Sequence, residues 1–306
     1  MRCVVFAYQD VGYVCLRELL RAGADVAAVI THDDDPNEAI WFRSVRQLAE
    51  EHGLPVFAPL NVNAPEWIER LRDYAPDFLF SFYYRKILGA ELLRLPKRGA
   101  LNLHGSLLPK YRGRCPVNWV LVHGETETGV TLHYMEEKPD RGDIVAQRAI
   151  AIAADDTAHT LYTKLTDAAA ELVRETYPRL CSGQAPRIPQ DHNQASYFGG
   201  RRPDDGRIDW TRSAAQIYNL VRAVTHPYPG AFTLWRGRKL FVWEAAIVPI
   251  ATTTAAGRVA AVTPAVRVQC GDGLLEMHRV QLDGEDEMPG SEWARRHALQ
   301  QGEQLE

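Results

Sequence analysis

The chain contains neither a G-x-G-x-x-G turn nor a G-x-x-x-x-G-K-[ST] loop. Without the dinucleotide fingerprint or the P-loop phosphate cradle, an ordinary NAD enzyme or ATPase is disfavoured. Its five cysteines, Cys3, Cys15, Cys115, Cys181 and Cys270, are odd in number, far apart and never in a C-x-x-C pair. That pattern fits neither a disulfide scaffold nor a thiolate zinc site, and points to reduced thiols in the cytosol. Cations are not in surplus, since 35 Lys and Arg stand against 39 Asp and Glu for a net charge of -4. A dedicated nucleic-acid binder carries basic excess to displace counterions, so bulk charge argues against RNA or DNA as partner. No apolar run is long enough to cross a bilayer, and the early run in "MRCVVFAYQD" is broken by Gln9 and Asp10 too soon for a signal peptide. A cytoplasmic protein with no membrane insertion is the expectation. Internal repeats and low-complexity tracts are also missing.

What is there reads as two units, because 306 residues exceed what one core usually organises. "RCVVFAY" reads as a strand and "VGYVCLRELLRAG" as a helix stopped at Gly23. "ADVAAVITH", "LPVFA" and "PDFLFSFY" continue as strands, with "WFRSVRQLAEEHG" and "PEWIERLRDY" as helices between them. The alternation predicts an α/β, Rossmann-like, doubly wound and mostly parallel sheet. "GVTLHYM" and "DIVAQRAIAI" follow as a strand pair, and residues 160–179 as a helix. The aperiodic "SGQAPRIPQDHNQASYFGGRRPDDGRIDW" then reads as a crossover, which puts the boundary near Pro203. The expected domains are residues 1–203 and 204–306. Beyond the boundary come a short helix, "SAAQIYNLVRAVT", and short strands separated by Gly, Pro or Asp, which suggest a small β-barrel.

Open α/β sheets bind ligands where strands run into their carboxyl-end loops. "NLHGSLLPKYRG", Asn102 to Gly113, is such a place. Residues two apart share a face of a strand, so Asn102 and His104 point into one crevice. A lone histidine is more often a core or surface group than a catalyst; the paired spacing and the strand end weigh against that here. Asp140, in the Pro-Asp-Arg-Gly turn of "EEKPDRGDIVAQ", supplies a carboxylate that could orient the imidazole, although such a turn is by itself usually only a turn. His123 and His133 lack a Cys or Glu partner pattern and read as ordinary polar residues, so no metal is expected.

"NLHGSLLPKYRG" followed by "ETGVTLHYMEEKPDRGDIVAQ" resembles the 10-formyltetrahydrofolate-dependent formyltransferases. The resemblance implies a formyltransferase fold with an OB-like C-terminal barrel and 10-formyltetrahydrofolate as cosubstrate. It implies that Asn102 donates to the developing oxyanion, that His104 shuttles protons, and that Asp140 raises the basicity of His104. By position it implies a folate site at Lys86, Ile87, Leu88, Arg114, Glu136, Glu137, Lys138, Pro139 and Asp140.

"FAYQDVG", "FSFYYRKIL", "GSLLPKYRGRCPVNWVLVHGETETGVTLHYM" and "CGDGLLEM" are similar to the formyltransferase domain that acts on UDP-4-amino-4-deoxy-L-arabinose in lipid A modification and polymyxin resistance. The implied partner is a UDP-amino sugar, together with a fused or associated UDP-glucuronate decarboxylating dehydrogenase. Lys110, Arg112 and Arg114, with Arg201 and Arg202, are candidate cations for a sugar-nucleotide diphosphate. Alternatives stay open: a formyltransferase for another nucleotide-linked amino sugar, a methionyl-tRNA formyltransferase, a formyltetrahydrofolate hydrolase, or an inactive ligand-binding module.

Overall fold

The computed structural model describes residues 1–36, 40–250 and 255–306. The chain forms two compact units: Met1–Pro116, Glu127–Ala151 and Tyr162–Gly199 make one, and Val117–Thr126, Ile152–Leu161 and Gly200–Glu306 make the other.

The first unit is built on strands β1 (Arg2–Ala7), β2 (Asp25–Ile30), β3 (Val56–Phe57), β4 (Phe78–Phe82), β5 (Gly99–His104), and, past the short β6 (Arg112–Gly113), β7 (Glu127–Tyr134) and β8 (Ile144–Ala151). The seven-stranded sheet runs β3-β2-β1-β4-β5-β7-β8. Pairs from β3 to β5 are parallel, whereas β5–β7 and β7–β8 are antiparallel. The sheet is therefore mostly parallel, as the alternation predicts. The central strands read as continuous apolar runs because helices cover both faces, and β1, β2 and β4 are buried along almost their whole length.

The covering helices are α1 (Gln9–Arg21), α2 (Val45–Glu51), α3 (Pro65–Asp73), α4 (Ala90–Leu93) and, after α5 (Pro116–Val122) of the second unit, the long α6 (Ala158–Ser182). Helix α2 begins at Val45 rather than at Trp41, where its apolar pattern starts, because the Ser44 hydroxyl accepts the Gln47 N–H at 3.2 Å and caps it. Phe80 on β4 stacks on Phe82 and packs against Phe78 and Tyr177, which makes it a pillar of the layer under the sheet.

Strand β9 (Tyr197–Phe198) leaves the sheet altogether and pairs in parallel with β6, in the stretch whose sequence has no periodicity. The second unit carries α7 (Ala214–Val224) and a six-stranded antiparallel half-barrel. Its path is β10 (Ala231–Trp235), β11 (Arg238–Val248), β14 (Leu274–Leu282), β13 (Val266–Gln269) and β12 (Val259–Ala261), with β15 (Met288–Pro289) on β14 and α8 (Gly290–Arg296) after it. Among the described residues, no helix is long and apolar enough to cross a membrane.

Removing the Phe80 ring leaves a void that its neighbours fill only in part. Phe80→Ala is expected to lower unfolding free energy by roughly 3–5 kcal/mol in urea titration, and a loss under 1 kcal/mol would show that the layer closes over the gap.

Candidate active site

Strands β4 and β5 end side by side, at the sheet edge where this architecture places ligands. Leu101 and Leu103 of β5 are buried in one layer, which turns Asn102 and His104 to the other. Antiparallel pairing sets Asn102 opposite His133 and His104 opposite Thr131, and opposed residues share a face. Two polar residues from each strand thus converge without any loop to place them. The third strand-end group, Asp140, comes from the β7–β8 turn with its backbone in the left-handed region, φ 59°.

Asp140 Oδ1 lies 3.6 Å from His104 Nδ1 and 3.7 Å from His133 Nε2. Its Oδ2 accepts the Gly113 N–H at 2.9 Å. The structure therefore brings Asn102, His104 and Asp140 together. It also adds His133, which is not the ordinary polar residue that its sequence context suggests: it is 1% exposed and sits inside the cluster.

A carbonyl only accepts, so the 2.7 Å contact of His133 Nδ1 with Tyr134 O places a hydrogen on Nδ1. His133 Nε2 is then free to accept from the Asn102 amide at 3.3 Å, which fixes how that amide is turned. His104 Nε2 in turn donates to Tyr111 O at 2.7 Å, while its Nδ1 faces the carboxylate. Burial pushes the Asp140 carboxyl up, but the His104 ring, the His133 ring and the Gly113 N–H outweigh it and hold the group well below the usual carboxylate range.

The loop after β5 is pinned by the side chains of Thr131, Gln147 and Ser106. Thr131 Oγ1 donates to Ser106 O at 2.6 Å and accepts the Leu108 N–H at 3.1 Å. Gln147 on β8 donates to Leu108 O at 2.8 Å, and Ser106 Oγ to Lys110 O at 2.7 Å.

The residues expected at a folate site fall into different settings. Lys86 Nζ is used locally, donating to Pro59 O and Leu60 O, both at 2.8 Å. Leu88 is buried in the same apolar cluster that Met135 packs against, so the loops after β4 and β7 share one underlayer. Ile87 is 70% exposed, and Glu136, Glu137, Lys138 and Pro139 are exposed. Asn63, which nothing in the sequence singles out, clamps the first loop by donating to Ile87 O at 2.9 Å and accepting the Gly89 N–H at 2.7 Å. Ala90, Leu93, Arg94 and residues 135–138 line a cleft of about 460 Å³.

The candidate cations separate. Lys110 and Arg114 are exposed, whereas Arg112 is 5% exposed and donates to Gln190 Oε1 at 2.6 Å and His192 Nδ1 at 2.9 Å. Arg112 is thus not a member of an exposed cationic loop, because strand pairing of β6 with β9 turns it inward. Arg201, in the second unit, donates to Asp205 O at 2.8 Å and lies over the Trp119 ring, while Arg202 is exposed.

Residues 4–176 match the family model described as Formyl transferase, and residues 201–298 that described as Formyl transferase, C-terminal domain. The structure of the N-formyltransferase from Helicobacter canadensis in complex with folinic acid and dTDP-3-aminofucose matches with TM-score 0.70 at 20% identity, over 90% of this chain and 98% of that one. WlaRD, a sugar 3N-formyl transferase solved with dTDP and 5-N-formyl-THF, matches with TM-score 0.72 at 18% identity, over 94% and 99%. HypX from Aquifex aeolicus in complex with tetrahydrofolic acid matches with TM-score 0.63 at 20% identity, over 96% of this chain and 47% of that one. At these identities the likeness is one of fold.

A carboxyl held below its unfolded value contributes stability that is present above that value, about 3.9, and is lost as pH falls through the folded one. Wild type is therefore expected to exceed Asp140→Asn in unfolding free energy at pH 7, with the gap narrowing below about pH 4. A gap that stays constant from pH 7 to pH 3 would show that the Asp140 charge adds nothing to the fold.

Proposed function

The chain belongs to the formyl transferase family, and from that premise we propose that it moves the formyl group of 10-formyltetrahydrofolate onto the amine of a nucleotide-linked amino sugar. The proposed acceptor is the 4-amine of UDP-4-amino-4-deoxy-L-arabinose, whose formylated form goes on to lipid A modification and resistance to cationic peptides. Residues 1–203 are assigned the chemistry and residues 204–306 an accessory barrel; a decarboxylating dehydrogenase, fused or associated, would supply the acceptor's precursor.

The observation that carries this reading is the convergence of Asn102, His104 and Asp140 at the carboxyl edge of the sheet. Formyl transfer to an amine forms a C–N bond at the formyl carbon and moves the carbonyl electron pair onto oxygen, where negative charge must be met by a fixed donor. One N–H of Asn102 is held by His133 Nε2, which leaves the other to donate to that oxygen. The attacking amine then loses a proton, and the folate nitrogen gains one as its bond to carbon breaks. His104 does both: with its ring hydrogen on Nδ1, where it faces the Asp140 carboxylate, Nε2 gives up the Tyr111 carbonyl, takes the amine proton and returns it to the folate nitrogen.

The residues around the two loops fit a folate. Leu88 offers a buried aliphatic floor beside the exposed Ile87, and Glu136 to Pro139 lie open next to Asp140. Lys86 acts here as a brace rather than a ligand contact, which leaves the loop to meet the pterin through its backbone. Lys110 and Arg114, both exposed, support recognition of an anionic substrate group.

His104→Ala and Asn102→Ala are each expected to cut turnover by roughly a hundredfold or more while leaving the fold intact. The assay offers 10-formyltetrahydrofolate with UDP-4-amino-4-deoxy-L-arabinose and follows tetrahydrofolate release. Turnover only with a dTDP-linked amino sugar would change the proposed base and sugar. Turnover only with charged initiator tRNA, or with no acceptor at all, would replace the proposal by a tRNA formyltransferase or a hydrolase.

A further inference from the structure

The stretch from Ile188 to Phe198 has no motif and no periodicity, yet it is bonded to both loops that carry the catalytic groups. Ile188 exchanges two backbone hydrogen bonds with Ile144, just past the Asp140 turn, at 2.8 and 2.9 Å. Ser196 accepts the Arg112 N–H through its carbonyl and the Tyr111 N–H through its hydroxyl, both at 2.9 Å. Phe198 accepts the Arg114 N–H at 2.9 Å and stacks on the Tyr111 ring. Tyr111 is the residue whose carbonyl holds His104. Gly113 sits in the left-handed region at φ 97°, and a Cβ there would run into the Phe198 carbonyl, so the strap and the loop pack backbone to backbone.

Gln190 joins the two loops through one side chain. Its Nε2 donates to Asp140 O at 3.1 Å and to Gly142 O at 2.7 Å, while its Oε1 accepts from Arg112 at 2.6 Å. It is 8% exposed, so these bonds are sheltered from competing water. The amide is suited to this place because it offers donors to the Asp140 turn and an acceptor to the His104 loop at once. Asp140 is a non-glycine residue in the left-handed region, a conformation that persists only where surroundings over-determine it. The donors of Gln190 on either side of that peptide are such surroundings.

We infer that Gln190 is a positioning residue for formyl transfer: it fixes the Asp140 turn against the His104 loop and thereby sets the carboxylate–imidazole distance. The inference rests on the proposed formyl transfer for its catalytic meaning and on geometry alone for its structural one. Gln190 touches neither Asn102 nor the loop residues 86–88 among the described contacts, so it acts through Asp140 and not on substrate.

The test uses the full chain with Gln190→Met, which keeps length without polar atoms, and Gln190→Glu, which keeps the acceptor for Arg112 but loses the donors to the turn. Both are expected to lower kcat roughly tenfold or more, with KM for either substrate within about twofold, because ordering of the catalytic groups is lost and binding is not. The pH profile of kcat should shift in the same direction as that of Asp140→Asn measured alongside. Combining Gln190→Met with Asp140→Asn should add little to Asp140→Asn alone, as expected for residues acting through one group.

A second measurement needs no turnover. Hydrogen exchange of the Gly113 amide, bonded to Asp140 Oδ2, should lose at least tenfold protection in Gln190→Met or Gln190→Glu, while amides of β1 and β4 keep theirs. Should Gln190→Met not fold, the same readings on Gln190→Glu decide. If wild type fails to transfer formyl groups but Gly113 loses protection, the functional proposal falls and the positioning of the turn stands. Wild-type kcat, pH profile and Gly113 protection in the variants would overturn the inference.

Discussion

A single carboxylate oxygen, Asp140 Oδ1, stands within 3.7 Å of two imidazole nitrogens, and much of the surrounding structure serves to hold it there. The carboxyl is removed from water, which by itself favours its neutral form; it stays ionised because the two rings and the Gly113 N–H surround it. Each ring is in turn held at its far nitrogen by a backbone carbonyl, from Tyr111 or from Tyr134. The arrangement is a carboxylate between two imidazole rings and the Gly113 N–H, with Asn102 reached through His133. In the proposed reaction the oxyanion donor and the proton carrier are thereby oriented by one anion.

The sheet explains why such a cluster can be precise. Asn102 and His104 are fixed by the pleat of a strand buried on its other face, and His133 by the register of the antiparallel neighbour. Only Asp140 depends on a turn. That is the weak point of the design, and Gly113, Gln190 and the Ile144–Ile188 pair all tie the turn or its flank. A site on rigid strands with one movable member needs its second layer of contacts at that member.

Much of this was legible in the sequence. The strand-helix alternation implied the mostly parallel sheet, and the spacing of Asn102 and His104 together with the resemblance pointed to the three groups that the structure brings together. His133 reads as an ordinary polar residue because the sequence shows its strand and its face but not the register that sets it opposite Asn102. Arg112 looked like a surface cation among Lys110 and Arg114; its burial follows from pairing with Tyr197–Phe198, more than eighty residues later, which no local pattern encodes. Gln190 lay in what reads as a linker. Polar, aperiodic sequence is what a strap of hydrogen bonds looks like when its partners are distant.

The most direct measurement of the central claim is nitrogen-15 NMR of the histidine side chains in wild type and in Asp140→Asn. The account predicts hydrogen on Nδ1 of His133 and a change in the ring signals of both His104 and His133 when the carboxylate is replaced. A His133 ring carrying its hydrogen on Nε2 alone would contradict its bond to the Tyr134 carbonyl, and ring signals of His104 or His133 unchanged by the substitution would contradict a shared Asp140 oxygen.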